Sequence, residues 1–471
     1  MNFSKRPIGY NVHASIRSTN PAKNYALLGE VAVSTDSEIK EKVEKANNAK
    51  LSWKELGARK RIDLLKPIFA EFSKRKEDFA RLITSEVGKP IRESEEEMRE
   101  SLEVYFEWFL ENADAALKDE VVFRDSKNAH KIVYEPLGTA VVITPWNFPF
   151  ETFVWGVIPN LLAGNTVVFK ASEECPLAGK MIEEVMLSHG LPEGVFSEVY
   201  GAGGVGEKLA RGKIDLIWFT GSSRVGKKLY KIAAGKFVNA ILEMGGSNAG
   251  IVFEGASVED SIPKLYEKRF GNCGQTCDAL KRLIVHQSIF REVIEKLKGH
   301  VERMVVGDPQ SRSTDIGSLV AKRQLDLLEA QVKDALEKGA TVVTGGRKPN
   351  GLKGAYYLPT ILTDIKPTMA VWKEEVFGPV LSIMPFKTEE EAIRLANDSQ
   401  YGLGATVFTE DKERAKRVAS RLATGTVEIN SASHWQACSP FGGYKQSGMG
   451  REHGIYGFRE LCQIKLIAEG K

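Results

Sequence analysis

At 471 residues the chain is too long for one simple core, and two or three domains are the reasonable expectation. Its 65 basic and 62 acidic residues are well mixed, and the formal charge of +3 leaves no electrostatic footprint for nucleic acid or an anionic membrane. Five cysteines (Cys175, Cys273, Cys277, Cys438, Cys462) make no disulfide framework, no window approaches about 18 uninterrupted apolar residues, and "MNFSKRPIGYNVHAS" lacks a signal peptide's apolar core, so a cytoplasmic, reducing setting is expected.

From Thr35 to Ala116 the spacing predicts helices: "SEIKEKVEKANNAKLSWKEL", "ARKRIDLLKPIFAEFSKRKEDFARLITSEVG" and "SEEEMRESLEVYFEWFLENADAAL" place apolar residues three and four apart among charges. Residues 118–134 change period and read as a two-stranded ribbon with too little apolar content to stand alone. Strands and helices then alternate, from "TAVVITP" and "VWGVIPNLLAG" through "NTVVFKA", "CPLAGKMIEEVMLSHG", "FSEVYG" and "KIDLIWFTGS" to "NAILEMGG". That alternation predicts an α/β fold with a parallel sheet covered on both faces. From about Asn248 a second α/β run begins. The tail "YGFRELCQIKLIAE" ends in a strand expected to join the 118–134 ribbon.

Several segments carry chemistry. In "VYGAGGVGEKLA", Gly201, Gly203 and Gly206 form GxGxxG between a strand and a helix, which fits either a phosphate loop or a tight turn. "WFTGSSRVGKKL" sets Gly221 and Ser222 at a helix start, where backbone N–H groups face an anion or Ser222 simply caps. Asn147 in "PWNFPF" is an oxyanion donor or an Asx-turn residue. Glu243 in "LEMGGS" is a general base or an ordinary strand-end carboxylate. For "GNCGQTC", a zinc site lacks further ligands at sensible spacing, so no metal is expected. A disulfide across four residues is awkward. A buried inert thiol or a nucleophile remains for either cysteine.

Taken in order, "PWNFP", "GNTVVFKASE", "FTGSSRVG", "LEMGGSN", "GNCGQTC", "EEVFGPV" and "SPFGGYKQSGMGRE" resemble the aldehyde dehydrogenase superfamily across essentially the whole chain. The resemblance implies a Rossmann-type cofactor domain (1–117 and 138–247), an α/β catalytic domain (248–446) and a small β oligomerisation arm (118–137 and 447–471). It implies Cys277 as nucleophile, Asn147 as oxyanion donor with the Cys277 backbone N–H, and Glu243 as the base that activates water. Lys170 matches the ribose-holding residue, Trp146 and Ser222 match cofactor contacts, and Glu375 and Phe377 match residues that position the nicotinamide ribose and ring. Glu173 stands where many NAD-preferring relatives carry Glu, so NAD is expected, with NADP as the alternative. The thiol needs neighbours that lower its pKa. Glu243 disfavours acyl transfer to coenzyme A, and the catalytic set disfavours a non-catalytic dinucleotide-binding protein on the same fold.

In "ITSEVGKPIRESEEEMRESLEVYFEWF" and "ALKRLIV" the chain is similar to the short succinate-semialdehyde dehydrogenase branch. The helix position where that branch carries a carboxylate-binding Arg is here Trp155. Glu151 and Asp278 add acids, while Phe148, Trp155, Trp435 and Phe441 supply rings, a lining that suits apolar, aromatic or cationic aldehydes. Lys281 or Arg282 reaching in would restore the semialdehyde reading. A homodimer or homotetramer is expected through the arm.

Overall fold

The computed structural model describes residues 14–430 and 432–470. The segment read for a signal peptide, and the start of the first expected domain, lie outside the described residues up to residue 13.

The first element was not announced by the hydropathy pattern. An antiparallel ribbon pairs β1 (Ser15–Asn20) with β2 (Ala26–Ala32), and the Asn20 side chain accepts from the N–H groups of Ala22 and Lys23 at its turn. Such a ribbon needs support, and the buried Glu86 carboxylate provides it by accepting from the Ser18 hydroxyl and from the Leu177 and Ala178 N–H groups.

The helical run follows as expected: α1 (Asp36–Glu55), α2 (Gly57–Lys74), α3 (Lys76–Val87), α4 (Ile91–Arg99) and α5 (Glu107–Ala116), with a π-helical stretch over 100–106 between the last two. A Thr35–Glu38 capping box starts α1. Gly88, at φ +87°, ends α3 in a left-handed turn that favours glycine. Leu65, Phe72, Phe79, Ile83 and Phe106 form the buried stripe. Each contributes about 1.5–3 kcal/mol by leaving water.

Next come β3 (Glu120–Arg124), β4 (Asn128–Pro136), β5 (Thr139–Ile143), α6 (Pro149–Ala163), β6 (Thr166–Lys170), α7 (Pro176–Leu187), β7 (Phe196–Glu198), α8 (Gly203–Arg211), β8 (Leu216–Gly221), α9 (Ser223–Lys236) and β9 (Asn239–Met244). The second run holds β10 (Asn248–Val252), α10 (Val258–Phe270), β11 (Leu280–His286), α11 (Phe290–Val301), α12 (Lys322–Glu337), β12 (Thr341–Thr344), β13 (Thr360–Thr363), α13 (Ala370–Lys373), β14 (Val380–Phe386), α14 (Glu389–Asn397), β15 (Tyr401–Gly402), β16 (Gly404–Phe408), α15 (Lys412–Ala419) and β17 (Thr426–Ile429). The chain closes with β18 (Tyr444–Lys445), β19 (Gly448–Met449), α16 (Gly454–Glu460) and β20 (Cys462–Gly470).

The first sheet runs β19-β9-β8-β5-β6-β7, parallel except for β19. The second runs β12-β13-β14-β11-β10-β16-β17, parallel except for β12. Apolar clusters cover both faces of the first sheet and build a separate core around the second, which explains strands that read as continuous apolar runs. The tail strand β20 pairs with β4 along its length, Cys462 opposite Pro136, completing a three-stranded β20-β4-β3 sheet as the sequence foretold. Among the described residues no helix is long and apolar enough to cross a membrane. Because β5, β6, β8 and β9 are parallel, their carboxyl ends share one edge, the usual ligand-binding edge of such a sheet.

Candidate active site

Cys277 lies in the loop between α10 and β11, facing that edge. Asn272 (φ 49°), Cys273 (φ 55°) and Gly274 (φ 74°) take three consecutive left-handed steps. A Cβ on Gly274 would stand 2.4 Å from the Gly378 carbonyl oxygen, so only glycine passes there. The loop is tied to the "PWNFP" segment from both sides. Asn147 Nδ2 donates to the Gln275 carbonyl at 2.9 Å, and Asn272 Nδ2 donates to the Asn147 carbonyl at 2.8 Å. The Asn272 N–H in turn donates to Glu93 at 2.6 Å. Asn147 thus donates one amide hydrogen to the nucleophile loop, and its amide has a second hydrogen. Cys273 is fully buried in the second core, where burial pushes its thiol up; it is the packed member of the pair.

Glu243 lies in β9, opposite Thr220 of β8 and Gly448 of β19. Both of its carboxylate oxygens are buried without a hydrogen-bond partner. Burial pushes its pKa well up, with Glu452, Asp278 and Glu375 adding to it and Lys281 opposing. Glu452 is buried too. One of its oxygens accepts from the Thr220 hydroxyl at 3.4 Å, the other has no partner, and burial raises its pKa to about 8.

The Cys277 environment corrects one expectation. Burial raises the thiol well above its ordinary pKa, and Glu243 and Asp278 raise it further, while Lys281 alone among the leading influences lowers it. The physical reason is first the loss of water around the thiol and second the carboxylates near the nucleophile loop. Lys281 is fully buried; it donates to the Thr276 carbonyl at 2.8 Å and to the Cys277 carbonyl, and stands 3.5 Å from Glu375 Oε1. Glu375 accepts from the Gly246 N–H at 3.0 Å. A Cβ on Gly245 would sit 2.1 Å from Glu375 Oε2, and one on Gly246 would sit 2.7 Å from the Cys277 carbonyl oxygen. The two glycines of "LEMGG" therefore make room for the Glu375 carboxylate and the Cys277 backbone.

The cofactor residues expected from the sequence line the same edge. Lys170 ends β6, buried, its ammonium 3.7 Å from the half-buried Glu173. Burial lowers the Lys170 pKa. Gly201 precedes α8, Gly203 and Gly204 open its first turn with free space where a Cβ would be, and Gly206 packs on the Lys170 stem. Gly221 ends β8, and Ser222 caps α9 by accepting from the Val225 N–H. Trp146 meets Phe377 edge to face at 5.4 Å, and Lys281 Nζ stands 5.7 Å over the Phe377 ring. Unblocked glycine backbone at a helix start beside a buried ammonium fits a dinucleotide's pyrophosphate and ribose.

Of the expected pocket residues, Trp155 and Trp435 stack at 5.5 Å and Phe441 joins them, 4.9 Å from Trp435. Glu151 is buried one turn before Trp155. Burial drives its pKa well up, and Glu97 and Glu100 push it further. Phe148 stands apart, with Lys89 Nζ 3.9 Å from its ring centre. Lys89 forms a fully buried pair with Glu97 at 2.6 Å, and Glu97 accepts from the Phe150 and Glu151 N–H groups at the start of α6. Neither proposed rescuer enters the pocket. Arg282 is spent in the core on the carbonyls of Ser247, Leu395 and Ala396, and Lys281 is held beneath the Cys277 loop. Sequence reading missed Tyr105, His434 and His453. Tyr105 lies 5.3 Å and His453 4.5 Å from Trp155, and Tyr105 Oη, Trp155 Nε1 and His453 Nε2 are buried without partners. His434 lies 3.7 Å from Asp278.

A doubly covered parallel sheet with a glycine-rich helix start at its carboxyl edge and a thiol-bearing loop beside it has the architecture of an α/β dinucleotide-binding protein. The model described as "Aldehyde dehydrogenase family" matches residues 10–467, and the chain belongs to that family. A Staphylococcus saprophyticus protein named as an aldehyde dehydrogenase is 36% identical over 455 residues, 95% of this chain and 94% of that one. Among solved structures, an "E. coli NADP dependent enzyme" superposes with a TM-score of 0.94 at 34% identity, covering 98% and 96% of the two chains. Betaine aldehyde dehydrogenase of Staphylococcus aureus, in complex with NAD+, gives 0.92 at 33%, covering 98% and 92%.

Proposed function

We propose that the protein oxidises a small aldehyde to its carboxylic acid, with Cys277 as nucleophile, Asn147 and the Cys277 N–H as oxyanion donors, and Glu243 as base. The observation that carries this reading is the mutual anchoring of Asn147 and the Cys277 loop beside a buried, unpartnered Glu243. The thiolate attacks the aldehyde carbon, and the resulting oxyanion takes the second Asn147 amide hydrogen. NAD+, when bound, would supply the hydride acceptor. Glu243, its affinity for protons raised by burial, takes a proton from water, which hydrolyses the thioester on Cys277. Lys170 and Glu173 hold the adenosine ribose, Trp146, Gly201, Gly221 and Ser222 line the dinucleotide path, and Glu375 and Phe377 set the nicotinamide end. The Glu173 carboxylate near Lys170 supports a preference for NAD over NADP. A single-turnover experiment on Glu243→Gln tests the scheme: a burst of NADH and a stable acyl adduct on Cys277 are expected, and full multiple turnover refutes it.

The pocket supports an uncharged aromatic or a cationic aldehyde, including aminoaldehydes, over succinate semialdehyde. Trp155 occupies the arginine position, Asp278 is acidic, and the nearby cations Lys281 and Arg282 are committed elsewhere. Relative kcat/KM for benzaldehyde, an aminoaldehyde and succinate semialdehyde decides this, and a preference for the semialdehyde overturns it. The β20-β4-β3 sheet exposes Val121, Phe123, Ile464 and Leu466, which supports subunit association as a dimer or tetramer through this arm. Five free cysteines suit a reducing, cytoplasmic compartment.

A further inference from the structure

Lys268, Glu428, His434 and Asp278 form a line of ionisable side chains that ends one residue from Cys277, and the dehydrogenase chemistry gives Lys268, Glu428 and His434 no role. Glu428, on β17, pairs with Lys268 of α10. Its Oε1 accepts from the His434 backbone N–H at 3.1 Å and from Nδ1 at 2.9 Å. An ionised carboxylate only accepts, so Nδ1 carries a hydrogen. Burial pushes the Glu428 carboxyl up, but the His434 hydrogen bond and the Lys268 ammonium outweigh it and hold it at about 2. The ring is kept in place by Phe441, stacked at 5.6 Å, and by Trp435 at 4.4 Å. Its far nitrogen, Nε2, is buried, has no hydrogen-bond partner, and stands 3.7 Å from Asp278 Oδ2. Both ring nitrogens therefore face carboxylates.

We propose that His434 is a positioning residue whose imidazole, facing the Asp278 carboxylate across 3.7 Å, screens the Cys277 thiol from that charge. The inference rests on the reading of Cys277 as nucleophile. Asp278 is one of the groups that raise the thiol, with Glu243 and Glu375, and Lys281 opposes them. The groups facing His434 are Glu428, Asp278 and, from the start of α16, His453. Removing the imidazole at 434 leaves the Asp278 carboxylate with no ring nitrogen facing it beside the thiol.

The test is the pH profile of iodoacetamide alkylation of Cys277 in the full chain, followed by peptide mass spectrometry so that exposed Cys438 does not interfere. His434→Asn is expected to raise the alkylation midpoint by about one pH unit, roughly tenfold slower reaction at a fixed pH below it. Glu428→Gln, which removes the anchor without touching the pocket, is expected to act in the same direction and covers the case in which His434→Asn does not fold. Asp278→Asn is expected to lower the midpoint and to abolish the effect of His434→Asn in the double variant. Unchanged midpoints in His434→Asn and Glu428→Gln, or a shift that persists without the Asp278 carboxylate, overturn the proposal. Dehydrogenase activity that survives complete Cys277 alkylation instead refutes the nucleophile assignment, which the midpoints do not measure.

Discussion

Replacing Glu452 by Gln keeps its shape and its acceptor towards Thr220 while removing a buried ionisable group. The folded-state pKa is about 8, against an ordinary value of 4.5. The folded protein therefore binds this proton more tightly than the unfolded chain does. The side chain destabilises nothing below the unfolded value, costs progressively more as pH rises from there, and reaches its full cost above the folded value. At about 1.4 kcal/mol for each pH unit, that is about 1.4 kcal/mol near pH 5.5 and about 5 kcal/mol near pH 8.5, as upper bounds. The Gln variant should match wild type in acid and exceed it by several kcal/mol in mild alkali. Urea unfolding at the two pH values, read as the difference between the proteins, gives the number. Parallel pH dependence in wild type and Glu452→Gln would show that the carboxyl is already charged in the fold, and the burial reasoning would fail.

Asn147→Ala should lower kcat by about 10²–10³, the usual cost of one oxyanion donor, while the rate of Cys277 alkylation stays within about twofold; an unchanged kcat removes Asn147 from the oxyanion site. Lys89→Met should destabilise the protein by about 3–5 kcal/mol by stranding the Glu97 carboxylate, and Lys89→Met with Glu97→Gln should recover most of the loss in the same denaturation assay. Trp155→Arg alone should pair with Glu151. Joined to Glu151→Gln, it should raise the kcat/KM ratio of succinate semialdehyde to benzaldehyde by about tenfold, equivalent to about 1.4 kcal/mol; no change would show that the position does not face the substrate.

The α/β alternation was legible because apolar runs with Gly and Pro punctuation mark each strand and helix, and the β20–β4 pairing because neither segment can bury itself. The ribbon at 15–32 was not, since "SIRSTN" alternates weakly and is held by Glu86, a carboxylate from a distant helix. Cys277, Asn147, Glu243 and the candidate cofactor residues stood out because short motifs carry them. Tyr105 and His453 reach Trp155 from a π-helical stretch and from the start of α16, with no local pattern to announce them. His434 had one signal, a histidine beside Trp435 in a loop already read as pocket lining. The raised thiol was invisible because it depends on burial in the folded chain and on Glu243 and Asp278 converging from separate segments.

The pairing of Gly448 with Glu243, and of β20 with β4, fixes an order of events during synthesis. The parallel strands around Glu243 leave the ribosome early, but the sheet edge beside it is closed only when residue 448 has emerged, and β4 gains its partner only with the last strand. A nascent chain can assemble its helices and inner strands and still lack the neighbour that seals Glu243.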